Sequence, residues 1–118
     1  MSEGEKIRRE VMGDAFVDKA LAGANDFTQP MQDLINDACW GTVWARDGLD
    51  RRTRSLVTIG MLAALKAPQE LKGHVRGALN NGASVDEIRE VLLHSIAYCG
   101  APACQEAFRA ARQVLDEL

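Results

Sequence analysis

Hydrophobic residues recur along this chain at spacings of three and four, the period of helices that bury one face. Residues 5–12 make a short amphipathic opening with Ile7 and Val11 on one side. After Gly13, Asp14 is placed to cap a second short helix in which Phe16, Val17, Ala20 and Leu21 share a face. Gly23-Ala24-Asn25-Asp26 reads as a turn. A longer helix follows, with Met31, Leu34, Ile35 and Ala38 at helical spacing and Pro30 in its first turn, where proline is tolerated. Residues 40–49 close it in a loop that carries both tryptophans. Asp50 is a candidate cap for a helix that opens with Arg51, Arg52 and Arg54 and then turns almost wholly apolar, the pattern of a helix buried on most sides.

Ala67-Pro68 breaks that helix, and the next runs to Asn80-Asn81-Gly82, a C-terminal stop. Ser84-Val85-Asp86-Glu87 has the form of a capping box and launches a helix through Ile88, Val91, Leu92 and Ile96. Gly100 and Pro102 separate it from a last helix carrying Ala103, Ala107, Ala110, Val114 and Leu115. No segment alternates with period two, and no linker, repeat or low-complexity tract divides the chain. The pattern predicts one compact all-α domain over residues 1–118.

Composition sharpens this. A chain of 118 residues that is 47% hydrophobic but only 5% aromatic, rich in Ala and Leu, suits close-packed helices. A net charge of -3 leaves no basic excess to neutralise phosphates, which argues against a nucleic-acid partner. The longest apolar run, Leu56 to Leu65, is far shorter than the roughly 20 residues of a membrane helix, so no membrane partner is expected. Met1 to Glu10 lacks the apolar centre of a secretory signal. Cys39, Cys99 and Cys104 form no CxxC and read as reduced thiols in a cytoplasm. The helices near 54–65 and 88–97 carry more apolar surface than one small core needs, so contact with other copies is expected.

The candidate chemistry centres on Glu70 and His74. Four residues apart on a helix, a carboxylate and an imidazole can reach each other and hold a proton near neutral pH. The plain alternative is a solvated pair worth a few tenths of a kcal/mol. Arg46, Arg51, Arg52 and Arg54 offer guanidinium forks for carboxylates, or ordinary pairing with the plentiful acids. Trp40 and Trp44 fit either a water-excluding wall or helix packing, and Tyr98 either a hydrogen-bond donor to substrate or a buried structural ring. His94, on an apolar helix, reads as a packed histidine and Cys99 as a small buried hydrophobe. Glu70, His74 and His94 lack the tight spacing of a metal site, so no metal is expected.

Six motifs follow one another at fixed spacing: Trp40-Gly41-x-x-Trp44-x-Arg46-x-Gly48-Leu49, Arg52-x-Arg54-Ser55-Leu56, Glu70-Leu71-x-x-His74, Ala78-x-Asn80-Asn81-Gly82, Glu87-Ile88-x-Glu90-Val91-Leu92-Leu93 and Tyr98-Cys99-Gly100-x-Pro102. Together they resemble the carboxymuconolactone decarboxylase family from about Ile7 to the C-terminus. The resemblance implies a helical fold of the alkylhydroperoxidase D type, assembled as a hexamer. It also implies loss of carbon dioxide from 4-carboxymuconolactone, an anionic lactone, to give 3-oxoadipate enol-lactone in the protocatechuate branch of aromatic breakdown. No cofactor is implied, because the conjugated lactone accepts the electron pair itself. On this reading His74 is the proton donor and Glu70 its orienting partner, while Arg46, Arg54, Trp44 and Tyr98 bind substrate.

The peroxidase branch of the same superfamily carries Cys-x-x-Cys-x-x-x-His; aligned on His74, its thiol positions are Ala67 and Glu70 here. That removes the nucleophile and resolving partner of disulfide exchange. Cys104 and His94 also depart from the decarboxylase pattern, without touching Glu70 or His74. Two alternatives remain: a thiol-dependent antioxidant enzyme using Cys99 and Cys104, and a non-enzymatic helical oligomer that binds an aromatic acid or a protein.

Overall fold

A computed structural model describes residues 1–118 as seven α-helices and one π-helical segment, with no strand. Two compact units divide the chain, residues 1–50 and residues 51–118.

The first unit holds α1 (Glu3–Met12), α2 (Asp14–Ala22) and α3 (Gln29–Leu34), which runs straight into a π-helical segment, Ile35–Val43. Ser2 starts α1 by accepting the Glu5 N–H at 3.0 Å. Gly13, at φ +93°, turns the chain into α2. Asp14 is therefore the first residue of α2 and not its cap. Its carboxylate accepts instead from Arg9, which also donates to Glu5 and Asp18 at 3.1 and 2.7 Å and so ties α1 to α2. These bonds, Asp18 first, hold the Arg9 guanidinium above its usual pKa.

The π segment revises the expected burial of this region. Met31 and Leu34 are exposed, the latter to 66%, and Ala38 is exposed too. Asn36, Trp40 and Trp44 face inward instead. The Trp44 N–H donates to the Cys39 carbonyl at 3.0 Å, an i→i+5 bond. Such wide turns bring residues four apart closer to one line, which is why 36, 40 and 44 share the buried face. Trp40, expected in a loop, lies inside this segment and stacks on Trp44 with ring centroids 4.7 Å apart. The two rings pack with Ile7, Val11, Met12 and Val17. Backbones meet here: a Cβ on Gly4 would collide with the Asn36 carbonyl oxygen. Arg8, only 7% exposed, donates through Nη1 to Gln32 Oε1 at 2.9 Å and Asn36 Oδ1 at 3.1 Å. Burial pushes its guanidinium below the usual pKa.

The second unit is a bundle of α4 (Arg51–Ala64), α5 (Pro68–Asn80), α6 (Val85–Cys99) and α7 (Ala101–Asp116). Ile59, Leu71, Val75, Ile88, Leu92 and Val114 fill its core. Alanines at 103, 107, 110 and 111 give α7 a flat buried face that lets its neighbours approach. The capping box forms, with Ser84 Oγ accepting from the Glu87 N–H and Glu87 Oε1 from the Ser84 N–H. The other Glu87 oxygen pairs with Arg52, linking α6 to α4. Gly82 and Gly100, at φ +92° and +88°, make the turns into α6 and α7, with Pro102 in the first turn of α7. In α4 only Ser55, Ile59 and Ala63 are buried. The expectation of burial on most sides fails, because the apolar residues at 57, 61 and 65 point away from the bundle's own core; Met61 is 60% exposed. No helix is long and apolar enough to cross a membrane.

Candidate active site

Helix α5 positions the central pair. Pro68 sits in its first turn, and Glu70 places a carboxylate beside the positive end of the helix dipole. Leu71, Val75 and Ala78 occupy the core face, so Glu70 and His74 fall on the neighbouring strip, one turn apart. Glu70 is exposed and His74 half-buried. No hydrogen bond or ion pair joins them, and the carboxylate is left facing solvent. Gly77, next along the strip, puts no side chain against the imidazole. The arrangement can present a proton from a partly sheltered ring one helical turn from an exposed carboxylate.

The arginines separate by role. Arg52 is committed to Glu87. Arg54 is half-buried on α4, where its backbone carbonyl accepts the Thr58 hydroxyl at 2.8 Å. Arg46 is exposed, in a turn of the first unit closed by its own N–H on the Val43 carbonyl at 3.1 Å. Trp44 belongs to the buried cluster of that unit.

Tyr98 is 81% exposed, not buried. Its ring lies 5.2 Å from that of His94, which is exposed as well and not packed inside as the sequence suggested. An apolar helix need only bury one face, and α6 turns this one outward. Both rings line a groove of about 690 Å³ between α4 and α6, together with Val57, Met61 and Glu90. Glu70 and His74 are not part of that lining. Sequence reasoning missed His94 as a groove residue, although Glu90, His94 and Tyr98 recur at i, i+4 spacing and so mark one strip.

The cysteines are all free. Cys104 is buried, donating to the Leu92 carbonyl with Sγ at 3.2 Å, and Cys99 is half-buried rather than fully enclosed. No group of three or more His, Cys, Asp or Glu side chains is gathered to hold a metal.

A model of the carboxymuconolactone decarboxylase family matches residues 29–113, a span that includes the π segment and the Glu70–His74 strip. The chain belongs to that family. Nitrosuccinic acid decarboxylase of Metarhizium robertsii is 47% identical over 116 residues, 98% of this chain and 81% of that protein. The 4-carboxymuconolactone decarboxylase of Acinetobacter baylyi is 44% identical over 116 residues, 98% of this chain and 87% of that protein. Both relatives are decarboxylases along nearly the whole chain, and this member of the family is a decarboxylase too.

Proposed function

We propose that the chain decarboxylates 4-carboxymuconolactone to 3-oxoadipate enol-lactone in aromatic catabolism. The observation that carries this reading is 44% identity over 98% of the chain to a 4-carboxymuconolactone decarboxylase, with Glu70 and His74 one helical turn apart inside the family span.

The substrate's lost carboxylate sits on the ring carbon γ to the lactone carbonyl, across a carbon–carbon double bond. As the C–COO⁻ bond breaks, its electron pair delocalises through that double bond onto the lactone oxygen, and the α-carbon then takes a proton. No cofactor or metal is needed for that step. His74 supplies the proton, a contribution of roughly 100- to 10,000-fold in rate. Glu70 swings in to orient the ring when substrate excludes water. Arg54 holds the acetate arm or the lactone oxygen, since a cation on the departing carboxylate would stabilise the ground state. Arg46 and Trp44 keep their candidacy for substrate binding through their own motif positions. Tyr98 is less well placed, because its groove does not include the pair.

A second copy of the chain covers the exposed apolar residues Val57 and Met61 of α4, giving the hexamer expected of a cytoplasmic enzyme of this type.

A second substrate is favoured by the 47% identity to a nitrosuccinic acid decarboxylase. Nitrosuccinate also carries its own electron sink: loss of carbon dioxide beside the nitro group leaves a nitronate, which again takes a proton on carbon. The test is a parallel assay of both acids with chelator-treated protein. Turnover of the lactone with a higher kcat/KM supports the proposal; turnover of nitrosuccinate alone replaces it.

A further inference from the structure

A second groove, of about 450 Å³, runs along the seam of α6 and α7. That volume lies in the range of small-molecule sites. Its floor is apolar: Ile88 and Leu92 from α6, Phe108 and Leu115 from α7. Three guanidiniums, Arg89, Arg109 and Arg112, and one carboxylate, Asp116, stand on its rim in a protein whose net charge is -3. Two of the three have an acidic neighbour. Arg89 is held by Asp86 at 2.7 Å, and Arg112 lies 3.5 Å from Asp116, both exposed pairs of little strength. Arg109 has no ion pair.

We propose that this groove binds a medium-chain acyl carboxylate, with Arg109 and Arg112 on the carboxylate and the acyl chain along the seam. The shape favours a linear chain over a ring. From Val85 to Leu92 the α6 wall extends about 10 Å at 1.5 Å per residue, a strip instead of a pit. The charge favours an anion, because a guanidinium fork matches a carboxylate and is easily desolvated beside apolar surface. A second copy of the chain is the poorer occupant: a two-fold contact on this face would bring together two linings that each carry three guanidiniums and one carboxylate. None of the residues proposed above for catalysis lines the groove, so the site is independent of the decarboxylation reading.

The test is titration calorimetry with octanoate, octan-1-ol and acetate on the full chain, alongside Arg109→Gln/Arg112→Gln. Octanoate should bind one per chain, octan-1-ol and acetate at least tenfold more weakly. The double substitution should weaken octanoate at least tenfold and leave octan-1-ol and decarboxylase turnover unchanged. Arg109→Lys/Arg112→Lys should restore part of the loss, which a merely structural role would not require. Absence of octanoate binding, octanoate affinity indifferent to the double substitution, or a changed assembly size in that variant by light scattering would each overturn the proposal.

Discussion

At the scale of single residues, His74 and Arg54 have separable tasks. A proton needed only in the transition state affects turnover, whereas a cation holding a remote arm affects affinity. His74→Gln should lower kcat by about 100-fold or more with KM little changed. Arg54→Ala should raise KM several-fold with a smaller effect on kcat. One steady-state series on both variants checks this, and a His74→Gln enzyme with near-wild-type kcat would transfer the proton-donor role elsewhere. The spacing of Glu70 and His74 was legible because a helix converts sequence distance directly into a shared strip. The state of the carboxylate was not legible. Whether Glu70 leans on the imidazole or into solvent depends on rotamers and water, which spacing does not encode, and here it faces solvent.

Among the elements, regular helices were readable and the irregular one was not. The Ser84–Glu87 box, the Gly82 and Gly100 turns and the alanine face of α7 all form where local chemistry places them. The stretch from Met31 to Val43 obeys a different rule. Its apolar residues have α spacing, yet contact with α1 selects the π geometry, burying Asn36 and Trp40 and exposing Leu34. Tertiary packing, which no local pattern carries, overrides the period. Gly4 is the contact that permits it. Gly4→Ala should destabilise the protein by about 1–3 kcal/mol, because the obstructing Asn36 carbonyl is backbone and cannot swing away. Gly48→Ala, where an added Cβ meets nothing within 4 Å, is the control and should leave Tm nearly unchanged. Equal Tm values for the two variants in thermal unfolding would contradict the close-approach explanation.

For the whole molecule, the exposed apolar strips on α4 and α6 set the expectation of assembly. Val57, Met61, Leu93 and Ile96 lie open on one subunit, more apolar exposure than isolated side chains explain. Light scattering at micromolar concentration should give a mass several times the 12.9 kDa of the chain, and Met61→Glu should reduce it. A wild-type monomer would leave those side chains without a role. The catalytic claim is tested most directly by turnover of 4-carboxymuconolactone in D₂O, followed by NMR of the product. Delivery of the proton by the enzyme predicts 3-oxoadipate enol-lactone carrying one deuterium at the α-carbon in a single configuration. Deuterium distributed equally between both configurations, or no carbon dioxide lost at all, would contradict it.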